Sequence, residues 1–118
     1  MSIKKRIQSF GFAFKGVATL IKTQPNARIH LLAILLVTVA GYLLKVSMTE
    51  WCFIVIAFAM VLAAEAFNTA VEFVVDLTSP DYHPLAGKAK DVAAAAVLIT
   101  AIGAAIIGII IFLPKLTR

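Results

Sequence analysis

An all-α integral membrane protein, with an amphipathic helix on the bilayer surface followed by three transmembrane helices, is the fold class that this sequence predicts. Three observations predict it. Of the 118 residues, 62% are hydrophobic and only 14% are charged, whereas soluble domains run at roughly 45–50% apolar and about 25% charged. The apolar residues gather in three uncharged runs, residues 29–44, 51–64 and 92–114. The eleven basic and six acidic residues fall between and beside those runs, so the charge marks boundaries. A chain of this length forms one domain, here residues 1–118. The single cysteine, Cys52, excludes an internal disulfide and any cysteine-based metal cluster. The start of the chain lacks the apolar core and small-residue cleavage site of a secretory signal, so no cleaved leader is expected.

The first element covers residues 1–26. Ile3, Ile7, Phe10, Phe14, Val17 and Ile21 recur at alternating spacings of four and three. At about 100° per residue they fall within an arc of about 80°. Lys4, Lys15 and Lys22 flank that stripe. A helix of this kind is too charged to span a bilayer and suits the interface, its lysines near anionic headgroups. A helix that packs on the bundle explains the same stripe. Pro25 marks a bend before the first span.

The spans are expected at residues 28–45, 50–77 and 86–113. Only the third apolar run alone reaches the roughly 20 residues that a crossing requires. The second becomes long enough only by continuing through Glu65, Asn68 and Glu72, which sets two carboxylates and an amide at the membrane boundary. Ionisable groups there are costly and by default mark function. Lys45 to Trp51 reads as a short polar turn, with Trp51 suited to the headgroup zone. Thr78 to Pro84 reads as a loop, with Pro84 in the first turn of the next helix. In the third span Ala96, Thr100, Ala104 and Gly108 recur every four residues, a ridge that permits close helix packing within or between subunits.

Topology follows from charge. Residues 1–28 carry Lys4, Lys5, Arg6, Lys15, Lys22 and Arg28 and no acid, so the N-terminus is expected on the cytoplasmic side of the cell membrane. Three spans then put the 45–50 turn outside and the 78–91 loop inside. That loop is flanked by the chemistry. Apart from Glu50, every acid of the chain lies there: Glu65, Glu72, Asp76, Asp81 and Asp91. Glu65, Asn68, Glu72 and Asp76 stand at i, i+3, i+7 and i+11, one stripe of a helix. Lys88, Lys90 and Asp91 open the following helix and converge on the same end. Oxygen donors suit magnesium, which rests on one or two carboxylates plus substrate phosphates. Phosphoryl transfer requires that ion, cationic clamps, and a group that orients or deprotonates the attacking hydroxyl. A proton-coupled transporter or a polar packing seam fits the same stripe. No GxxxxGKS/T and no GxGxxG is present. His30 and His83 stand isolated in sequence, and His83 reads as a loop hydrogen-bonder.

The run Glu65-Ala66-Phe67-Asn68-Thr69-Ala70-Val71-Glu72-Phe73-Val74-Val75-Asp76, then Tyr82-His83 and Ala89-Lys90-Asp91 leading into Ala93 to Val97, resembles the bacterial diacylglycerol kinase family. The pattern is E-x-x-N-S/T-A-I/V-E-x-x-V-D followed by A-K-D and an alanine-rich helix. Lys15-Gly16 and Asn26-Ala27-Arg28-Ile29-His30 extend the resemblance over nearly the whole chain. The latter segment, Glu50-Trp51 and the Asn-Thr-Ala variant look like the Gram-positive branch, whose members phosphorylate undecaprenol. The resemblance implies a homotrimer with active sites between subunits at the cytoplasmic interface, ATP as donor, Mg2+, and a lipid alcohol as acceptor, undecaprenol or otherwise diacylglycerol, with no nucleic acid among the partners. It implies Glu65 as catalytic base, with Asn68, Lys90 and Asp91 as further active-site groups. It implies Lys5, Arg6, Lys15, Arg28 and Asp76, with Lys90 and Asp91, at the nucleotide. Glu72 matches a metal ligand. A second metal-binding glutamate of the family is replaced here by Gln24, which offers a carbonyl oxygen but no charge.

Overall fold

The computed structural model describes residues 2–118, and among them the only regular elements are four helices. These are α1 (Ile3–Thr23), α2 (Pro25–Leu43), α3 (Met48–Thr78) and α4 (Pro84–Thr117). Helices α2, α3 and α4 are each long and apolar enough to cross a membrane. The protein is a multi-pass membrane protein built as the sequence predicts, one amphipathic helix and three spans.

Each boundary has a local cause. Ser2 caps α1, its hydroxyl accepting from Lys5 N at 3.2 Å. The chain breaks at Gln24, in extended conformation at φ −115° and ψ 106°. Pro25 then opens α2, because its missing N–H is no loss at the first helical position. The expected span began three residues later; the proline sets the true start. Helix α2 ends in a Schellman motif. Lys45 N donates to Tyr42 O and Val46 N to Gly41 O, with Lys45 left-handed at φ 56° and Val46 buried against the bundle. Ser47 and Glu50 form a reciprocal capping box at the start of α3. His83 Nδ1 accepts from Leu85 N at 3.1 Å and caps α4, where Pro84 again opens the helix. At its other end α4 runs past the expected residue 113, through Pro114, to Thr117.

Helices α3 and α4 form an antiparallel hairpin with an ion pair near each end. Lys90 Nζ lies 2.6 Å from Asp76 Oδ1 beside the connecting loop. Lys115 Nζ lies 2.8 Å from Glu50 Oε2 at the far end. Between them Val46, Ile54 and Ile111 form a small core with Trp51 and Phe112 packed on it. Helix α2 lies against α3 more loosely, and α1 rests on α2 and α3. The molecule is broad and thin, 55 × 42 × 22 Å, about two helix diameters deep. Its outer faces are therefore wide and apolar, as a lipid-embedded chain requires. The stripe of α1 (Ile3, Ile7, Phe10, Phe14, Val17) is exposed as well.

One close approach fixes α2 on α3. The indole of Trp51 covers Gly41, and a Cβ placed there would stand 2.6 Å from Trp51 Cη2. Gly41→Ala is expected to lower the melting temperature in detergent, at a cost of about 1–3 kcal/mol from overpacking. Trp51→Phe in the same chain should recover part of that loss; an unchanged melting curve for Gly41→Ala would show that the ring is not seated on the glycine.

Candidate active site

Along α3 the polar stripe is graded by depth. Glu65 is 1% exposed and Asn68 8%, Glu72 is half-buried, and Asp76 is exposed. The helix places Glu65 and Asn68 one turn apart on the face that meets α2 and α4. Thr69, beside them, returns its hydroxyl to Glu65 O at 2.9 Å, so it makes no demand on the carboxylate. Two buried oxygens, Glu65 Oε2 and Asn68 Oδ1, have no hydrogen-bond partner among the described residues. Buried polar atoms are nearly always satisfied, so two orphans side by side indicate a place for a ligand group or water.

The space they face is a pocket of about 290 Å³. Asn26 and His30 of α2, Glu65 and Asn68 of α3, and Val97 and Ala101 of α4 line it. His30 Nε2 lies 3.7 Å from Glu65 Oε2, with the imidazole 22% exposed. Sequence reasoning left His30 isolated; the packing of α2 on α3 brings it to the carboxylate. The signal that could have found it was present, since His30 closes the Asn26-Ala27-Arg28-Ile29-His30 segment. From this pocket an apolar groove of about 280 Å³ leads along the bundle between Ile34 and Val37, Ile54 and Val61, and Ala104 and Gly108. His30 and Ala101 line both spaces, so polar pocket and apolar groove adjoin.

The other site residues expected from sequence lie apart from this pocket. Lys90 pairs with Asp76, one turn beyond Glu72 on α3. Asp91 is exposed at the start of α4. Lys5, Arg6, Lys15 and Arg28 are exposed on α1 and α2, with Lys15 Nζ 5.6 Å from the Phe12 ring centre. Gln24 stands at the α1–α2 break, its amide donating to Thr23 Oγ1 at 3.2 Å. Among the described residues no three His, Cys, Asp or Glu side chains gather as a metal site.

Comparison with known proteins decides the family. The family model of prokaryotic diacylglycerol kinase matches residues 11–112. The chain belongs to that family. It is a lipid kinase, and a kinase implies ATP as the phosphoryl donor. Among relatives, an undecaprenol kinase of Bacillus subtilis (strain 168) is 39% identical over 114 residues, covering 97% of this chain and 93% of the relative. A diacylglycerol kinase of Synechocystis sp. is 42% identical over 109 residues, covering 92% of this chain and 62% of the relative. A diacylglycerol kinase of Escherichia coli (strain K12) is 34% identical over 100 residues, covering 85% and 82%. The resemblance drawn from the motifs is therefore correct, and the transporter alternative finds no support.

Proposed function

We propose that the chain transfers the γ-phosphoryl group of ATP to undecaprenol in the cell membrane. One observation carries the reading: Glu65 Oε2 and Asn68 Oδ1, buried and without a partner among the described residues, face a pocket that adjoins an apolar groove. In this reading the lipid hydroxyl enters the pocket, Asn68 orients it, Glu65 accepts its proton, and the groove receives the first part of the tail. Depth supports it. At 1.5 Å per residue, the 31-residue α3 is about 46 Å long, some 16 Å more than the hydrocarbon core. Measured from Trp51, expected in the headgroup zone, about 20 residues exhaust the core near Ala70, so Glu65 lies inside the boundary. Glu72, Asp76 and their α4 neighbours Lys90 and Asp91 extend beyond it, where a nucleotide is found.

Lys90 and Asp91 are assigned to the triphosphate, with Asp76 holding Lys90 in place until phosphate arrives. Lys5, Arg6, Lys15 and Arg28 supply further positive charge to the nucleotide. Since a single chain leaves them away from the pocket, the reading includes a homotrimer in which a neighbouring copy completes each site. The wide apolar faces of α2 and α4 are consistent with such an assembly. The six basic residues of segment 1–28 orient the site toward the cytoplasm.

Mg2+ fits the donors at hand. Glu72 makes no ion pair among the described residues, and Gln24 uses its amide nitrogen, keeping its carbonyl oxygen available. With so few protein ligands the triphosphate and water complete the shell, as is usual for magnesium. The ion, when bound, neutralises charge on the transferring group.

The test uses purified protein in mixed micelles with γ-labelled ATP and either undecaprenol or diacylglycerol. Label on undecaprenol is expected, with kcat/KM about tenfold or more above diacylglycerol, and none in EDTA. Label on diacylglycerol alone would support the second reading, which the Synechocystis and Escherichia coli relatives favour by name. Label on neither overturns both.

A further inference from the structure

Glu65 is 1% exposed, and a lipid alcohol seated in the pocket that Glu65 lines would keep water from it, so the proton accepted from that alcohol needs another group to carry it away. A base that must be reset at every turnover requires one. The imidazole of His30 is placed to serve as that group. Its Nε2 lies 3.7 Å from Glu65 Oε2, the oxygen without a hydrogen-bond partner, and its ring is 22% exposed at the junction of polar pocket and groove. We infer that His30 is a proton relay that returns Glu65 to its carboxylate form between turnovers. It acts through Glu65 and is a positioning and relay residue, without contact to the transferring phosphoryl group. The inference rests on the reading of Glu65 as the base.

The separation is about 1 Å longer than a hydrogen bond. Catalytic hydrogen bonds commonly tighten only when substrate is bound, and a small rotation of either side chain would close that gap. An imidazole can accept a proton at one ring nitrogen and give one up at the other, which suits the task. Among the described residues no other titratable group lines this pocket. Asn26 shares the pocket from α2, Asn68 from α3, and Ala94, Val97, Leu98 and Ala101 from α4.

The step balances. The alcohol O–H bond breaks and its proton goes to Glu65, as the alcohol oxygen bonds to the γ-phosphorus and the bond to the departing ADP breaks. The proton then passes from Glu65 Oε2 to His30 Nε2, and the imidazolium gives a proton to water at the exposed edge of its ring. The carboxylate and the neutral imidazole are restored.

His30→Gln and His30→Ala in the full chain test this against Glu65→Gln. Each His30 variant is expected to lower kcat by about 10- to 100-fold, with KM for ATP and lipid changed no more than about threefold. Added imidazole should restore His30→Ala about tenfold or more, following the concentration of neutral imidazole as pH is varied, and should do nothing for Glu65→Gln. Melting temperatures near that of the parent are expected, because His30 makes no hydrogen bond in the fold. Full kcat in His30→Gln overturns the relay, as does a loss in His30→Ala that imidazole does not restore. Should Glu65→Gln retain full activity, the base assignment itself falls, a result distinct from failure of the relay alone.

Discussion

Glu65→Gln is expected to lower kcat for lipid phosphorylation by roughly 10²- to 10⁴-fold, the usual worth of a positioned general base. The substitution keeps side-chain length and volume at a site where almost no surface is exposed. It also breaks no hydrogen bond, since Oε2 has none and Thr69 bonds to the backbone oxygen. Binding of ATP is expected to stay as in the parent, because Glu72, Asp76, Lys90 and Asp91 lie further along the hairpin. Calorimetric titration with ATP–magnesium and initial rates in undecaprenol micelles separate the two effects. A parent-like rate in the variant would remove Glu65 from the chemistry. Glu65→Asp draws the carboxylate back by about 1.5 Å, one C–C bond, and should fall between the two.

The second large effect concerns the tail. Ala104 stands on the wall of the apolar groove, opposite α2. Ala104→Leu fills space in a groove of about 280 Å³, so kcat/KM for undecaprenol should fall by about tenfold or more. In hydrophobic recognition one misplaced methylene is already worth about 10- to 200-fold. A short isoprenoid alcohol, whose chain ends before Ala104, should lose far less. The cause is steric. A tail that leaves bilayer for groove gains nothing from the hydrophobic effect, because both surroundings are apolar. Equal losses for long and short alcohols would mean that the substitution disturbed the bundle, and that tails do not occupy the groove.

Much of this arrangement was legible in the residues. The uncharged runs gave the spans, the proline after Gln24 gave the break, and the spacing of Glu65, Asn68, Glu72 and Asp76 gave a single polar stripe. Helical periodicity carries such information because it is local. What it lacks is the partner across the interface. His30 looked isolated because nothing in its own turn binds it; its neighbour is 35 positions away, on a different helix. Likewise Lys90 was read as a phosphate ligand without a resting partner, while the hairpin sets it on Asp76. The seating of Trp51 on Gly41 is of the same kind. The second half of the Glu50 interaction, with Lys115 at the opposite end of the chain's longest helix, also follows only from tertiary packing.

The two ion pairs of the α3–α4 hairpin act as rivets. A lengthwise slip of one turn, about 5.4 Å, would unseat Asp76–Lys90 and Glu50–Lys115 together, so the two pairs fix the register of these helices. Helix α2 is held differently. Gly41 lies under the indole near one end, and Ala27 is fully buried near the other. Its seat is therefore set by fit, small residues beneath larger ones, while that of the hairpin is set by charge.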